Sequence, residues 1–390
     1  MEFPDFVPVR AFPRRTRCSL PFVTLMLAAA LTGGNLHAQL PPPCAEWGRE
    51  TLEKIDEAFW IERRGLYSEE SRLADGNPGP GRQPAFMWGC GVQLSALVAA
   101  AKIDRKTYEP KMRAYADALD AYWTNHKSIG GYDVLPNPRE ADRYYDDNAW
   151  MVLAFAEAYE ISREQKQLDR AKKTMEFVLS GEDDKLGGGL YWRERELTSK
   201  NTCTNAPTIV GLLKLHQLTG RQDYLRKAHR IYVWTNENLQ DPEDGLYWDH
   251  INMDGKIDRR KFSYNSALMI RANCLIYEIT KNRKYLDEAR RIGESALKKW
   301  ITPEGGVNDG GRFAHLLMGS FLALAKVDKD PRWRQTVERV LRYVHENVRD
   351  PNGHYADHWG RKQSGPLEKS ALLDEASAAR AYWEAAPMLR

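Results

Sequence analysis

The chain has 390 residues, of which 42% are hydrophobic, so it can bury a large core. Its formal net charge is +3, and residues 1–38 hold four arginines against two acidic residues, which leaves about +1 on the remainder. A nearly neutral chain without a Lys/Arg block excludes an electrostatic basis for binding nucleic acid or an anionic membrane surface, and we expect neither partner.

The amino terminus has the layout of a secretory signal peptide. In RRTRCSLPFVTLMLAAALTGGNLHAQ, a basic stretch precedes an apolar run and small residues that end at Ala38. The apolar run is too short to span a membrane, and polar sequence follows it. We therefore predict a signal peptide over residues 1–38, export to the periplasm or the medium, and a single domain over residues 39–390 without a membrane span.

A Gly-rich signal recurs along the rest of the chain. It reads GLY at 65, GGY at 130, GGGLYW at 187, DGLYW at 244, EGGV at 304 and NGHY at 352. A near-constant period of roughly 60 residues indicates a repeat architecture with six units. The equivalent positions are Tyr67, Tyr132, Tyr191, Tyr247, Val307 and Tyr355.

Between these signals the hydrophobic pattern alternates between two kinds of helix. YDDNAWMVLAFAEAYEIS is apolar almost all round, as a buried helix should be, whereas REQKQLDRAKKTMEFVLS has one apolar and one charged face. Each unit therefore supplies a buried helix, then an exposed helix, then a short hairpin. We predict an all-α fold in which six helix pairs close into an (α/α)6 barrel with the hairpins at its rim, although an open solenoid would have the same period.

The starts of the predicted buried helices fall in register. Asn148, Asn205 and Asn265 are 57 and 60 residues apart, each in a predicted first turn. In a closed ring such helix starts face one cavity, so the asparagines either cap their helices or bind a ligand there. Only one unit has Asp-Asp before its Asn, and capping does not explain why this unit alone doubles its acidic residues.

Asp146 and Asp147 lie in the segment RYYDDNAW. Hydrolysis of a glycosidic bond needs a carboxylic acid that protonates the leaving oxygen and a carboxylate that attacks or that activates water. Adjacent helical residues point about 100° apart, so the two carboxyl groups can lie near the ~5 Å separation of retaining enzymes. Mutual repulsion would keep one proton on the pair, and we predict that this pair is catalytic.

Aromatic residues near the predicted helix starts are candidates for sugar contacts. The chain holds 12 Trp and 18 Tyr residues, and their ring faces can stack on sugars while asparagine amides bind hydroxyl groups. Core packing explains each aromatic residue alone at least as well. The candidate substrate-binding residues are Trp88, Tyr145, Asn148, Trp150, Asn205, Tyr264 and Asn265.

Cofactor and metal signals are weak. The segment HINMDGKID at 250–258 resembles part of a calcium loop, but His250 and Lys261 stand where two acidic ligands should be. A hairpin turned by Asp254-Gly255 explains the segment better. We find no phosphate loop, nucleotide fingerprint or paired histidines, and expect no cofactor and no metal. The four cysteines after residue 38 are either buried thiols or include one disulfide.

The resemblance to a known family rests on five segments. YYDDNAWMVLAFAEAYE, GGGLYWRE, TNAPTIVGLLKL, DHINMDGKIDRRKFSYN and LMIRA, in this order, resemble glycoside hydrolase family 76, the α-1,6-mannanases, over about residues 84–326. The resemblance implies an (α/α)6 barrel, in agreement with the repeat count, and a retaining mechanism with Asp146 as nucleophile and Asp147 as general acid/base. Many relatives carry Gln-Gly where this chain has Ser266-Ala267, so substrate preference could differ if those positions touch sugar.

These observations favour an exported, monomeric, retaining glycosidase that cleaves α-1,6-mannosidic links within mannan and uses no cofactor. The first alternative is a transglycosylase that joins wall glycans through the same covalent intermediate, since only the acceptor differs. A carbohydrate-binding barrel without activity is the second alternative, and the intact aspartate pair argues against it. Release of reducing sugar, as opposed to formation of longer products, would separate hydrolysis from transglycosylation.

Overall fold

Two kinds of helix alternate along the chain, as the hydrophobic pattern predicts. In the computed structural model, which describes residues 42–73 and 78–389, the helix Tyr145–Ser162 is buried on nearly every side. The next helix, Gln165–Leu179, buries one apolar stripe and exposes its charged face. The predicted signal peptide, residues 1–38, lies outside the described residues.

The described residues form twelve α-helices and ten short strands. The helices are α1 (Cys44–Phe59), α2 (Met87–Ala101), α3 (Arg105–Ala118), α4 (Tyr145–Ser162), α5 (Gln165–Leu179), α6 (Thr202–Thr219), α7 (Gln222–Leu239), α8 (Ser263–Thr280), α9 (Arg283–Trp300), α10 (Gly311–Val327), α11 (Pro331–Tyr343) and α12 (Leu372–Ala385). The strands are β1 (Trp60–Ile61), β2 (Leu66–Tyr67), β3 (Glu70–Arg72), β4 (Gly79–Pro80), β5 (Trp123–His126), β6 (Ile129–Tyr132), β7 (Ser199–Asn201), β8 (His250–Asn252), β9 (Ile257–Asp258) and β10 (Lys369–Ala371).

The six buried helices form a closed inner ring. They are α2, α4, α6, α8, α10 and α12, and each contacts the next one along the chain. Helix α12 also contacts α2, which closes the ring. The (α/α)6 barrel is therefore confirmed, and an open solenoid is excluded. No helix among the described residues has the length and apolar character needed to cross a membrane.

The first and last helices pair in an order that the sequence pattern did not predict. The pattern places a buried helix before an exposed one in every unit, but α1 is amphipathic and packs outside α12. One pair therefore takes its outer helix from the start of the barrel and its inner helix from the end. Strand β10 likewise pairs with β3, with Ser370 opposite Ser71, so both ends of the described chain help to close the ring.

Each Gly-rich signal forms an antiparallel pairing after an outer helix, as predicted. In GGGLYW a glycine is required, because Gly189 has φ 77° and a Cβ there would lie 2.5 Å from the ring of Trp234. Each pairing reverses the chain between an outer helix and the next inner helix. The pairings join Trp60 to Tyr67, Trp123 to Tyr132, Glu182 to Leu190, Gln240 to Tyr247, Ile301 to Val307 and Arg349 to Tyr355.

Two of the three aligned asparagines tie an inner helix to the hairpin before it. Asn148 Oδ1 accepts from the main-chain N–H of Tyr132 at 2.7 Å, and its Nδ2 donates to the carbonyl of the same residue at 2.9 Å. Asn205 binds Leu190 in the same way, at 2.9 and 3.2 Å. Both amides are fully buried and are the fourth residues of their helices. They are therefore neither helix caps nor groups left free for a sugar.

In α8 the predicted alignment of Asn265 with Asn148 and Asn205 is wrong by one residue. Ser266 is the fourth residue of α8, and its Oγ accepts from the N–H of Tyr247 at 3.1 Å. Ser266 thus does in its unit what Asn205 does in the unit before, and it is fully buried. Asn265 is the third residue, so it corresponds to Asp147 rather than to Asn148. The Ser266-Ala267 departure from many relatives therefore lies in the anchor of a hairpin.

The inner helices end at a second face of the barrel, where charged side chains pair. Arg271 of α8 forms an ion pair with the buried carboxylate of Glu157 on α4. Burial opposes ionisation of Glu157, but the charges of Arg271, Lys102, Arg380 and Lys214 outweigh it and hold the pKa of Glu157 below its usual range. Cations at this face also complement the negative ends of the helix dipoles.

The four cysteines in the described part of the chain are buried free thiols, and none of them forms a disulfide. Burial raises the pKa of each thiol, which keeps all four protonated at neutral pH. They are Cys44, Cys90, Cys203 and Cys274.

Candidate active site

The second and third residues of the inner helices meet at one end of the barrel, which we call the mouth. Ring contacts join side chains of α2, α8 and α10, and the pairing of Arg312 with Asp374 adds α12. The contact of Cys203 with Asp146 joins α6 to α4. Because each helix amino terminus carries roughly half a positive charge, six of them together favour negative charge at the mouth. The mouth residues are Trp88 (α2), Asp146 and Asp147 (α4), Cys203 (α6), Tyr264 and Asn265 (α8), Arg312 and Phe313 (α10) and Asp374 (α12).

Asp146 accepts hydrogen bonds on both carboxylate oxygens. Oδ2 accepts from the indole N–H of Trp192 at 2.8 Å and faces the thiol of Cys203 at 3.6 Å. Oδ1 accepts from the main-chain N–H of Asp147 at 2.9 Å. Burial raises the pKa of Asp146 to about 6, and these hydrogen bonds limit the rise. Asp146 is therefore a half-buried carboxyl group that ionises within the physiological range.

The pKa of Asp147 is also raised, but without the hydrogen bonds that limit the rise at Asp146. Burial, followed by the charge of Asp146 and then those of Asp142 and Glu69, raises the pKa of Asp147 well above its usual range. The two neighbouring carboxyl groups thus differ in proton affinity, with Asp146 the stronger acid. The pair thus combines a carboxyl group that favours its protonated form with one that has donors for its ionised form, which is the combination that acid/base and nucleophilic chemistry requires.

Aromatic rings form one wall of the mouth. Tyr264 stacks on Phe313 with ring centroids 4.6 Å apart, and the ring of Trp88 lies near both, 5.8 Å from Phe313 and 6.4 Å from Tyr264. Phe86 and Trp192 add rings that are 39% and 37% exposed. Of the predicted aromatic residues, Trp88 and Tyr264 belong to this wall, which presents apolar faces beside the aspartates.

The structure places two other predicted aromatic residues away from the mouth surface. Tyr145 stacks on Phe177 with centroids 5.0 Å apart and joins Tyr191 in the core between α4 and α5, so it cannot reach a ligand at the mouth. Trp150 is 5% exposed and lies one helical turn below Asp146 on the same face of α4. Trp150 therefore packs in the core beneath Asp146.

Of the three aligned asparagines, Asn265 alone has a side-chain amide without a hydrogen-bond partner among the described residues. Its side chain is fully buried, and among the described residues neither Nδ2 nor Oδ1 has a hydrogen-bond partner. Its position on α8 matches that of Asp147 on α4. Buried amides normally find partners, so Asn265 retains the ligand-binding interpretation that Asn148 and Asn205 lose.

Several mouth residues escaped the sequence-based prediction. Arg312 binds Asp374 through two nitrogens, at 2.9 to 3.2 Å, and burial nevertheless raises the pKa of Asp374 to about 6. Glu69 accepts from the N–H of Phe86 at 2.9 Å, and burial raises the pKa of this carboxyl as well. Comparing the second and third residues of all six inner helices would have found Arg312 and Asp374, but Glu69 lies outside any helix.

The segment at 250–258 forms the predicted hairpin. Strands β8 and β9 pair antiparallel, and the turn places Gly255 at φ 85°. Possible ligand atoms of Asp249, His250 and Asp258 lie within 4.8 Å of one another. Arg260 binds Asp258 at 2.8 Å, however, so a guanidinium already supplies the positive charge that a cation would bring. The donor set therefore does not favour a metal ion.

Comparison with known proteins gives a family. The sequence profile of glycosyl hydrolase family 76 matches residues 64–342. A GH76 α-mannanase of Bacteroides thetaiotaomicron is 33% identical, and the alignment covers 88% of this chain and 96% of that one with a TM-score of 0.83. A family 76 mannosidase of the same organism is 26% identical over 88% of this chain and 98% of that one, with a TM-score of 0.80.

Curated relatives match over shorter stretches. The meiotically up-regulated gene 191 protein of Schizosaccharomyces pombe is 25% identical over 232 residues, which are 53% of this chain and 50% of that protein. The mannan endo-1,6-alpha-mannosidase DCW1 of Candida glabrata is 24% identical over 217 residues, or 51% of this chain and 45% of that protein. The chain thus spans about half the length of the curated relatives it matches.

Proposed function

Because the chain belongs to glycosyl hydrolase family 76, we propose that it is a retaining glycoside hydrolase that cleaves α-1,6-mannosidic linkages within mannan. Asp146 is the nucleophile and Asp147 is the general acid/base. The observation that carries the proposal is the position of two adjacent carboxyl groups at the mouth of the barrel, where Asp146 accepts from the indole of Trp192 and from the main chain of Asp147. A retaining glycosidase needs this division of roles.

In the first step Asp146 attacks the anomeric carbon while Asp147 gives its proton to the leaving oxygen. Asp146 is suited to attack because three donors stabilise its ionised form and hold its oxygens in place. Asp147 is suited to protonate because burial and the charge of Asp146 keep its proton bound until substrate arrives.

The second step requires Asp147 to change roles. Once Asp146 forms a covalent bond to the sugar, its negative charge is gone, and one cause of the raised pKa of Asp147 disappears. The pKa of Asp147 then falls, so the carboxylate left after the first step can accept a proton from water. Water attacks the anomeric carbon, Asp146 leaves, and the starting protonation states return.

The proposed substrate follows from the mouth and from the relatives. An aromatic wall beside the two aspartates suits stacking on sugar rings. A Bacteroides relative is named an α-mannanase and the yeast relative a mannan endo-1,6-alpha-mannosidase. We propose that this chain acts on the same class of linkage, inside the polymer, as an exported monomer that needs no cofactor.

The test is incubation of residues 39–390 with linear α-1,6-mannan, with released reducing ends and product sizes followed over time. We expect a spread of short oligosaccharides from the earliest time points, and none from Asp146→Asn or Asp147→Asn. Asp117→Asn is the control, because that acid is exposed and lies outside the mouth. Products longer than the substrate would indicate transglycosylation, and binding without any reaction would indicate a carbohydrate-binding barrel; either result would overturn the proposal.

A further inference from the structure

Trp192 reaches Asp146 from a loop rather than from an inner helix. It ends the GGGLYW signal, and its segment pairs with the start of α4 through a bridge between Tyr144 and Arg193. The carbonyl of Trp192 accepts from the N–H of Tyr145 at 2.9 Å, and its indole N–H donates to Asp146 at 2.8 Å. Main chain and side chain together fix this residue over the amino terminus of α4.

The indole ring of Trp192 is held before substrate arrives. It packs edge-on against Tyr144, with ring centroids 5.0 Å apart. Arg193 lies over the other side of this small cluster, 4.9 Å from the centre of the Tyr144 ring, and pairs with Asp142 at 2.8 Å. A donor that is already oriented costs little reorganisation when charge develops on its partner.

Cys203 is a second donor to the same carboxylate oxygen. Its Sγ lies 3.6 Å from Asp146 Oδ2, and its side chain is almost fully buried. Burial raises the pKa of the Cys203 thiol well above its usual value. The group is therefore an S–H donor at neutral pH and not a thiolate that would repel Asp146.

We propose that Trp192 is a positioning residue of this site, whose indole N–H holds Asp146 ionised and aligned, with Cys203 as a weaker second donor. This inference rests on the proposed function and adds to it residues that act through the nucleophile. Neither residue touches the proton that Asp147 transfers. Loss of either donor should therefore act directly on Asp146, and on Asp147 only through the charge of Asp146.

The charges around Asp146 explain why neutral donors are needed. Most of the ionisable neighbours are acidic, and among the described residues Asp146 forms no ion pair with a cation. The nearby Arg193 and Arg312 pair with Asp142 and Asp374 instead. The titratable and charged groups that face the site are Glu69, Asp142, Tyr144, Asp147, Arg193, Cys203, Asp249, Tyr264, Arg312 and Asp374.

Trp248 provides a matched control one repeat later. It follows Tyr247 as Trp192 follows Tyr191, and its indole donates to Asp241 at 3.2 Å. Asp241 is paired with Lys261 at 2.6 Å, outside the mouth. Trp192→Phe and Trp248→Phe thus remove the same kind of hydrogen bond at equivalent positions of two repeats.

The first readout is the pH profile of kcat/KM on linear α-1,6-mannan. At pH 5, Trp192→Phe should lower kcat/KM by about tenfold, because a one-unit rise in the pKa of Asp146 leaves about a tenth as much of this carboxyl ionised. Its acid limb should move up by about one pH unit, because Asp146 ionises less readily. Cys203→Ala should shift the limb in the same direction by less, Cys203→Ser should restore it, and Trp248→Phe should leave it in place.

A second readout does not depend on activity. The folded-state pKa of Asp146, about 6, lies above its unfolded value, so ionisation of Asp146 costs folding stability as pH rises from 5 to 8. Loss of the Trp192 donor raises this pKa further. The drop in Tm caused by Trp192→Phe should therefore be larger at pH 8 than at pH 5, whereas that of Trp248→Phe should be equal at both.

The outcomes separate the two proposals. An unshifted acid limb in an active Trp192→Phe variant, or a Tm loss that does not change with pH, would overturn the positioning role of Trp192. If the wild-type chain does not cleave mannan, the proposed function fails, and the pH dependence of Tm still decides whether Trp192 stabilises the charge on Asp146.

Discussion

Helix α4 carries half-buried acidic residues at its start and a buried one near its other end, and the pKa values of these groups shift in opposite directions. Asp147, at the mouth, has its pKa raised by burial and by the neighbouring acids. Glu157, ten residues or about 15 Å further along the helix, has its pKa lowered by four basic residues that outweigh burial. Glu157, at the second face of the barrel, is paired with a cation, whereas Asp146 and Asp147 at the mouth form no ion pair among the described residues.

The direction of the inner helices contributes to this difference. Six amino termini give the mouth a positive potential, which tolerates carboxylates without basic partners. The six helix carboxyl termini give the second face of the barrel a negative potential, which favours the basic side chains that lie there. Glu157 then completes an ion-pair network with Arg271 rather than standing alone. The two ends of the barrel thus differ in whether their acidic residues have basic partners, and we place the proposed active site at the end where Asp146 and Asp147 have none.

The largest expected effect comes from removing the unpaired acids. Asp146→Asn and Asp147→Asn should each lower the rate on α-1,6-mannan by about a thousandfold or more, because each removes a group that takes part in bond making or proton transfer. Neither should lower Tm at pH 7, since both carboxyl groups have raised pKa values and are costly to ionise. Initial rates and thermal melts check both statements. Near-normal activity in a folded variant would remove that residue from catalysis.

At the second face of the barrel, we expect a substitution to lower stability and to leave activity unchanged. Glu157→Gln should lower the free energy of unfolding by about 3–5 kcal/mol, because it leaves buried cations without their counter-charge. The activity of the folded fraction should not change. Urea denaturation measures the loss, with Glu160→Gln as the control, since its partly exposed pair with Lys214 should contribute less than about 1 kcal/mol. Equal stability of the two variants would contradict the contrast between the barrel ends.

The three asparagines in the first turns of inner helices should separate into two groups. Asn148→Ala and Asn205→Ala each leave two main-chain groups without partners and should cost about 1–3 kcal/mol of stability with little change in KM. Asn265→Ala removes an amide without a partner among the described residues, so it should cost less stability and raise KM. The comparison of melting temperature with KM for the three variants decides the matter. A raised KM in Asn148→Ala would return that residue to substrate binding.

The smallest effect sharpens the assignment within the aspartate pair. Asp146 must be ionised to attack, so kcat/KM should fall as pH drops through about 6, reaching roughly a tenth of its plateau at pH 5. Asp147 must be protonated, so the rate should fall again on the alkaline side, and the raised pKa of Asp147 moves that limb upward. Rates in overlapping buffers from pH 4 to 9 give both limbs. An acid limb near pH 4 would mean that Asp146 is not the nucleophile.

The sequence predicted the parts of the fold that local patterns encode. The repeat signals at Tyr67 to Tyr355 all form chain reversals, because a glycine and a buried apolar or aromatic residue recur at each of them. The aspartate pair stood out because, among the units aligned by their asparagines, only one has two acidic residues before its Asn. The pairing of α1 with α12 could not be predicted, because it joins the two ends of the chain.

The parts of the site that depend on long-range contacts were missed. The bond from Trp192 to Asp146 spans 46 residues between a loop and a helix, and nothing in GGGLYW indicates which side chain the indole meets. The register of α8 was wrong by one residue, because the spacing between repeats varies by more than one residue. As a result Asn265 was aligned with Asn148, whereas Ser266 holds that position.

The most direct test of the account is the anomeric configuration of the first product. Proton NMR of linear α-1,6-mannan during its first minutes with residues 39–390 distinguishes α from β reducing ends before mutarotation mixes them. A covalent intermediate on Asp146, formed and released with the help of adjacent Asp147, predicts that the α-anomer appears first. A first product in the β configuration would contradict that mechanism and the roles assigned to both aspartates.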